Sequence, residues 1–160
     1  ETAVQLKAST DYGMRAILYL AAQGTTCSSK DIANDMSIPR DYLIQLAQLL
    51  RNAGIIEARP GKHGGYRLAK DPADITVLEI MEALDDDAKQ STRAKRNARK
   101  GGAMVQEVKR TYDLIEESMD TFLNSLTVKL LLECANDKEG SKKFLSDRFD
   151  EESRRLSELN

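Results

Sequence analysis

The sequence predicts a mainly α-helical fold that includes one two-stranded β-hairpin and one long helix. Three observations support this prediction. Apolar residues recur at helical spacing along most of the 160 residues. The spacing changes to strand-like alternation only around residues 55–68. Three Pro and nine Gly are few for an all-β protein. Hydrophobic residues make up 41%, which is enough for a buried core, and two Cys exclude a disulfide framework.

A first helix is predicted over residues 6–23. Apolar side chains recur there every three or four positions. Ser9 or Thr10 is expected to cap its start, because a hydroxyl can accept a hydrogen bond from a free backbone N–H. Gly24 is expected to end it in the left-handed conformation.

Two more helices are predicted before residue 54, separated by a tight turn. Ser28 and Asp31 have the spacing of a capping box, with Asp in place of Glu or Gln, so a short helix is expected there. Pro39 suits the first position of the next helix, predicted over residues 39–53. The inward face of that helix is apolar and comprises Leu43, Leu46, Ala47 and Leu50.

The pattern then becomes that of a β-hairpin. Residues 55–59 and 66–68 are predicted strands on either side of a Gly-rich turn. Helices in this order followed by such a hairpin form a helix-turn-helix with a β-wing. Thr76 and Glu79 form a second capping box, which begins a short helix that completes a winged helix-turn-helix domain over residues 1–84.

Three further segments are predicted from composition: a basic loop over residues 85–102, a dimerisation helix region over 103–136, and a charged C-terminal tail over 137–160 that is a marginal helix or disordered. Charge is strongly segregated, because residues 89–110 carry a net charge of +7 while the chain carries −2. The near-neutral total therefore does not exclude an anionic partner. The basic loop is either a solvated segment, a phosphate contact or a pocket for a small anionic effector.

The long helix carries apolar residues spaced by three or four positions, as at a helix–helix interface. The predicted dimerisation residues are Val108, Tyr112, Ile115, Met119, Phe122 and Leu126. A helix of this length extends beyond a domain of this size, so we expect it to pack on a second copy of the chain. The alternative is that it folds back on its own domain. A short last helix is expected to begin at Thr127.

The helix over residues 39–53 presents side chains suited to reading DNA. A major groove about 12 Å wide admits one helix, whose first turns face the base edges. Gln can pair with adenine, Arg with guanine, and Tyr can donate to phosphate. The predicted contacts on this helix are Arg40, Asp41, Tyr42, Gln45 and Gln48. The alternative is that these are ordinary solvated positions.

The hairpin and the neighbouring segments add basic and hydroxyl side chains. An Arg on a wing can enter a narrow minor groove, where the potential is most negative. The wing candidates are Arg59, Lys62 and His63, and the other predicted contacts are Lys7, Ser9, Thr10, Tyr12, Ser28 and Lys30. His63 is the only His, and no second ligand lies at metal spacing, so no metal site is predicted.

Four segments together resemble one protein family. They are residues 9–16, 42–46, 50–56 and 64–69. In this order and spacing, over about residues 6–132, the chain resembles the Rrf2 (Rrf-two) family of bacterial transcription regulators, which includes the IscR, NsrR and CymR types. The resemblance implies a cytoplasmic homodimer of winged helix-turn-helix subunits that binds inverted repeats in double-stranded DNA. It also implies that the helix over 39–53 reads the major groove and that Arg59 enters the minor groove.

The chain departs from this family where many members hold an iron–sulfur cluster. Those members carry three Cys between the wing and the long helix, whereas residues 85–103 contain none here. Thiolates hold such clusters, so we expect a member of the cluster-free branch with no cofactor. Ile44 stands where the family commonly has Glu, which predicts a different operator preference.

Cys27 is the candidate redox residue. It precedes a predicted helix N-terminus and lies close in sequence to Lys30, and both features lower a thiol pKa and favour the reactive thiolate. The alternative is a small buried side chain, since free Cys is among the most buried residue types. Cys134 ends an apolar run and is expected to be structural.

Three hypotheses for function follow. The first is a DNA-binding repressor or activator without enzyme activity, because no catalytic triad, P-loop or dinucleotide fingerprint is present. The second is a regulator whose DNA affinity is set by a protein partner that docks on residues 85–103 and on the tail. The third is a winged-helix adaptor that does not bind DNA. No run of about 18 apolar residues occurs, so no membrane partner is expected.

Overall fold

The computed structural model describes residues 6–85, 101–137 and 140–159. The helices within them are α1 (Ala8–Gln23), α2 (Ser29–Asp35), α3 (Arg40–Asn52), α4 (Val77–Ala83), α5 (Ala103–Ser125), α6 (Val128–Asn136) and α7 (Gly140–Glu158). The strands are β1 (Ile56–Arg59) and β2 (Gly65–Leu68), which form one antiparallel hairpin, and Pro72–Asp74 forms a turn of 3-10 helix. The predicted mainly helical winged helix-turn-helix is confirmed. Most of the predicted basic loop, residues 86–100, lies outside the described residues.

Side-chain caps begin three of the short helices as predicted, including α6, where the Thr127 hydroxyl accepts a hydrogen bond from the Leu130 N–H at 3.2 Å. The Ser28 hydroxyl accepts a hydrogen bond from the Asp31 N–H at 3.1 Å, and the Thr76 hydroxyl accepts one from the Glu79 N–H at 3.2 Å. Gly24 adopts φ 65° and ends α1, its N–H bonding to a carbonyl of the last turn. Gly24 thus fixes where α1 ends, and Ser28 and Thr76 fix where α2 and α4 begin.

The predicted N-cap of α1 at Ser9 or Thr10 is wrong. Ser9 and Thr10 lie inside the first turn, and Lys7 holds the N-cap position without a capping side-chain hydrogen bond. The start of α1 therefore follows packing rather than capping, because most helical stability in a domain comes from the buried face of the helix. Pro39 likewise lies at the N-cap of α3 and not at its first helical position.

The hydrophobic core lies between α1, α2, α3, α4 and the base of the wing. The predicted inward face of α3 is confirmed, since its buried residues are Leu43, Leu46, Ala47 and Leu50. Ile17 of α1, Ile32 of α2 and Ile55 before β1 are fully buried in the same cluster. Val128 of α6 also belongs to it, so the segment after α5 returns to the domain that begins the chain.

A short backbone bridge attaches the end of α5 to this domain. The Val77 N–H donates to the Leu126 carbonyl at 2.9 Å, and the Val128 N–H donates to the Ile75 carbonyl at 2.9 Å. Leu126 is consequently only 7% exposed. The prediction that Leu126 is a dimerisation residue is wrong, because its side chain is buried within its own chain.

The predicted tail contains a helix of 19 residues, α7, that packs against α5. The Phe149 ring meets the Phe122 ring edge-on, with centroids 5.4 Å apart. The Arg148 guanidinium donates to the Ser125 carbonyl at 3.1 Å, where α5 ends. An aromatic pair and a bond to a helix terminus thus help to hold this charged helix against α5. No helix among the described residues is long and apolar enough to cross a membrane.

Candidate nucleic-acid interface

The outward face of α3 is polar, in contrast to its buried face. Four of the predicted DNA contacts lie exposed on it: Arg40, Asp41, Gln45 and Gln48. Ile44, which is 45% exposed, lies among them. The Arg40 guanidinium donates to the Ser29 hydroxyl at 3.4 Å, and the Gln48 amide donates to the Asn52 side-chain oxygen at 3.0 Å. This face can therefore offer donors and acceptors to an external partner.

The wing presents its basic side chains at its tip. Arg59, Lys62 and His63 are all exposed and lie at or beyond the end of β1. The turn that carries them is closed by a hydrogen bond from the Gly64 N–H to the Gly61 carbonyl at 3.0 Å. The tip is therefore narrow and basic, as a minor-groove contact requires.

Arg67 lies on the wing too, but its charge is matched. Its guanidinium binds the Glu57 carboxylate across the hairpin at 2.7 Å, between residues directly paired in the register. Cross-strand pairs of opposite charge stabilise a hairpin. Arg67 therefore supports the wing rather than adding to its positive tip.

The other predicted contacts differ in how much of each side chain is accessible. Lys7 and Lys30 are exposed, whereas Ser9, Tyr12 and Ser28 are half-buried. Thr10 is only 5% exposed, so its prediction as a phosphate contact is wrong. The reason is helical geometry, because Thr10 lies on the buried face of α1 together with Gly13 and Ile17.

A cluster between α1 and α3 was not predicted from the sequence. Arg15 binds the Asp11 carboxylate through two nitrogens, at 3.0 and 2.9 Å, and donates to the Met36 carbonyl at 3.2 Å. Its guanidinium also lies over the Tyr12 ring, 5.1 Å from the centroid. Tyr12 meets Tyr42 of α3 edge-on at 5.5 Å. The i,i+4 spacing of Asp11 and Arg15 was the available sequence signal, but it predicts only their ion pair.

The base of the wing is joined to the loop before α2. The Cys27 N–H donates to the Tyr66 carbonyl at 2.9 Å, and the Tyr66 N–H donates to the Cys27 carbonyl at 2.8 Å. Gly65, with φ 153°, lies against this bridge. The position of the wing relative to the helix-turn-helix is thus fixed through the backbone.

The Cys27 thiol is buried beneath this bridge. It is 8% exposed, and its S–H donates to the Thr25 carbonyl at 3.4 Å. Burial raises the pKa of Cys27 from its ordinary value, and the negative charge of Asp31 raises that pKa further. The expectation of a lowered pKa is wrong, because desolvation of the thiolate and the charge of Asp31 both raise it.

One more shifted group lies on the link between α1 and α2. The Tyr19 hydroxyl donates to the Asp35 carboxylate at 2.7 Å. This hydrogen bond raises the pKa of Tyr19 to about 12, with a smaller contribution from burial. The bond joins α1 to the last residue of α2.

The long helix α5 has no buried residue. Val108, Tyr112, Ile115 and Met119, which we call the α5 stripe, are each between 47% and 62% exposed. Phe122 is half-buried by its contact with Phe149. The stripe borders an apolar groove of about 510 Å³ between α5 and α7, lined by Leu114, Ile115, Ser118, Met119, Phe122, Leu123 and Phe149.

The fold and the polar face of α3 beside a basic wing define a transcription regulator with a winged-helix DNA-binding domain. Residues 6–134 match the model of the Rrf2 family, described as an iron-dependent transcriptional regulator. The chain belongs to the Rrf2 family of transcription regulators.

Individual relatives agree with this assignment. The chain is 36% identical over 80 residues to the regulator NsrR of Bacillus subtilis, which covers 49% of this chain and 55% of that protein. It spans about half the length of the curated relatives it matches. The structure of T. potens IscR is similar over 83% of this chain and 89% of that one, with 27% identity and a TM-score of 0.66. Staphylococcus aureus CymR is similar over 79% and 97%, with 26% identity and a TM-score of 0.60. These homologues are transcription regulators and not enzymes.

The described residues do not fit the iron–sulfur cluster that the family resemblance implies for many members. Such clusters are held by three or four thiolates, and the sequence has two Cys. Cys27 is buried under the wing and Cys134 is half-buried in α6. In the described parts of the chain, no group of three or more His, Cys, Asp or Glu is arranged to hold a metal ion.

Proposed function

We propose that this chain is a homodimeric transcription regulator that binds inverted-repeat operator DNA and works without an iron–sulfur cluster. The observation that carries the proposal is the pairing of an exposed polar face on α3 with an exposed basic wing tip at Arg59. A helix in the major groove and an Arg in the adjacent minor groove together read both the base edges and the groove width.

The roles assigned to side chains follow from their chemistry and exposure. Arg40, Gln45 and Gln48 face base edges, and Arg59 enters the minor groove. The proposed contacts to the sugar-phosphate backbone of DNA are Lys7, Ser9, Tyr12, Ser28, Lys30, Asp41, Tyr42, Lys62 and His63. Among them, Asp41 is proposed to act through a water molecule, because a carboxylate cannot donate a hydrogen bond to a phosphate. Phosphate contacts set position and salt dependence, whereas base contacts set sequence preference.

The α5 stripe supports the homodimer. Its four apolar side chains are spaced by four, three and four residues and are exposed in the single chain. Contiguous exposed apolar surface on a helix indicates a partner, and a two-fold dimer places two α3 helices on the two halves of an inverted repeat. The absence of a thiolate set in the sequence supports operation without a cluster.

The test is selection of binding sites from random double-stranded DNA, followed by titration of the selected site. We expect an inverted repeat, and a loss of roughly 1–3 kcal/mol in binding free energy for Arg59→Ala. Arg154→Ala, at an exposed position of α7, is the matched control and is expected to bind as the unsubstituted protein does. Absence of any enriched sequence would favour a partner-dependent regulator or an adaptor instead. A monomer in sedimentation equilibrium at the titration concentrations would contradict the dimer.

A further inference from the structure

The turn between α2 and α3 is held in an uncommon backbone conformation. Among the described residues, Ser37 is the non-glycine residue with a positive φ, at 53°. A side chain in this left-handed region is disfavoured unless surrounding contacts fix it. One such contact is the hydrogen bond from the Ile38 N–H to the Ala33 carbonyl at 2.9 Å. Since α3 begins two residues after Ile38, the direction of α3 depends on this turn.

Arg15 supplies a second contact to the same turn. Its Nη1 donates to the Met36 carbonyl oxygen at 3.2 Å. Met36 is the C-cap of α2, and the last carbonyls of a helix have no partner within the helix. The Met36 carbonyl belongs to the peptide group that leads into Ser37, so the guanidinium fixes the orientation of that peptide.

Asp11 fixes the guanidinium in turn. Its two carboxylate oxygens accept from Nε and Nη2 of Arg15, at 3.0 and 2.9 Å. This two-point pairing is directional as well as charged. All three guanidinium nitrogens are thus bonded within the protein, and the charge of Arg15 is balanced by its neighbour on α1.

The same side chain also supports the first turn of α3. Its guanidinium carbon lies 5.1 Å from the centroid of the Tyr12 ring, a cation–π distance. The Tyr12 ring packs edge-on against Tyr42 at 5.5 Å and 86°. Arg15 therefore links α1 to the turn through Met36 and to the start of α3 through Tyr12 and Tyr42.

We propose that Arg15 is a positioning residue for operator recognition, which holds the turn and the start of α3 in place without contacting DNA itself. This inference rests on the proposed function. It assigns to Arg15 an effect on sequence-specific binding that differs from that of a phosphate-binding Lys or Arg. A phosphate contact contributes to binding on every sequence and to the salt dependence. A positioning residue, in contrast, affects binding only to the selected operator, because only there must α3 fit the base edges.

The test compares Arg15→Lys and Arg15→Gln on the selected site and on unrelated DNA at several salt concentrations. We expect both variants to bind the selected site about tenfold more weakly, within the range for coupled contacting residues. Arg15→Lys keeps the charge but loses the three-nitrogen geometry, so it should not rescue binding. Binding to unrelated DNA and the slope of log K against log salt should stay unchanged. The control is Lys30→Gln, which should lower the slope magnitude by about 1.

A second measurement reads the turn directly in the free protein. Amide hydrogen exchange of Ile38 should accelerate in Arg15→Gln, and also in Asp11→Asn, which weakens the pairing that orients Arg15. Full binding by Arg15→Lys, a reduced salt slope in Arg15→Gln, or unchanged exchange at Ile38 would each overturn the positioning role. If the unsubstituted protein selects no operator, the proposed function fails instead, and the exchange result then decides only whether Arg15 holds the turn.

Discussion

Cys27 and Tyr66 exchange two backbone hydrogen bonds, of 2.9 and 2.8 Å, that tie the base of the wing to the loop in front of α2. Gly65 permits this approach. A Cβ at that position would lie 2.0 Å from the Cys27 carbonyl oxygen, and the φ of 153° is itself rare for a residue with a side chain. Backbone atoms therefore tie the wing to the helix-turn-helix.

Gly65→Ala should accordingly cost both stability and operator binding. The added methyl group must separate the two backbones, so we expect the free energy of unfolding to fall by about 2–4 kcal/mol, from backbone strain and lost hydrogen bonds. Urea denaturation measures this change.

The matched control is Gly24→Ala. Gly24 also has a positive φ, of 65°, but a Cβ there would meet nothing within 4 Å. The expected loss is therefore about 1 kcal/mol, from backbone conformation alone. Equal losses in the two variants would show that the contact of Gly65 with Cys27 contributes nothing.

The buried thiol of Cys27 predicts a pH dependence of stability. Its pKa in the folded protein is raised above the ordinary 9.0, so the unfolded chain releases this proton first as pH rises. The contribution of Cys27 to the free energy of unfolding is complete below pH 9.0. It is lost as the pH rises from there through the folded-state pKa. Thermal unfolding between pH 7 and 10 should show a smaller decline in Cys27→Ala than in the unsubstituted protein.

Alkylation gives an independent measurement of the same property. Iodoacetamide reacts with the thiolate, so native Cys27 should react slowly at neutral pH and much faster once urea unfolds the domain. Rapid modification of native Cys27 at pH 7 would contradict the burial and the raised pKa, and would restore the redox hypothesis.

Local patterns predicted the secondary structure well, because caps and periodicity are properties of neighbouring residues. Ser28, Thr76 and Gly24 mark helix ends through bonds within four residues. The same patterns failed wherever burial depended on distant segments. Leu126 continues the spacing of the α5 stripe. However, the backbone bridge to residues 75–77 directs its side chain into the core of the same chain.

Cys27 and Arg15 show the same limit at the candidate site. The surroundings of Cys27 are set by Tyr66, which lies on β2, and sequence proximity to Lys30 gave the wrong sign for the pKa shift. Arg15 contacts Met36 across 21 positions of the chain, and nothing in its local sequence predicts that bond. Exposed polar residues of α3 were found more easily, since one buried face of a helix defines the opposite one.

Gln45 should contribute to sequence preference. It is exposed on α3, one turn from the helix start, and a Gln can bond adenine through both groups of its amide. We expect Gln45→Ala to weaken binding by roughly 1–3 kcal/mol and to relax preference at one position of each half-site. Repeating the site selection with the variant measures this effect, with Asn136→Ala, at the exposed end of α6, as the control. An unchanged selected sequence would exclude Gln45 from base recognition.

Two substitutions, one in the middle of α5 and one just after its end, separate dimerisation from folding. Ile115 is 50% exposed on the α5 stripe, whereas Leu126 is 7% exposed inside the domain. Ile115→Glu places a charge in the proposed interface, so sedimentation equilibrium should show a monomer whose helical circular dichroism is retained. Leu126→Ala should lower the free energy of unfolding by about 2–5 kcal/mol through loss of buried volume, and the remaining folded protein should still associate.

Glu116→Gln, next to Ile115 on the exposed helix, is the control for a change of charge alone. A dimer that survives Ile115→Glu would mean that another surface joins the subunits, and a monomer produced by Leu126→Ala would mean that the interface depends on how α5 is attached to the domain.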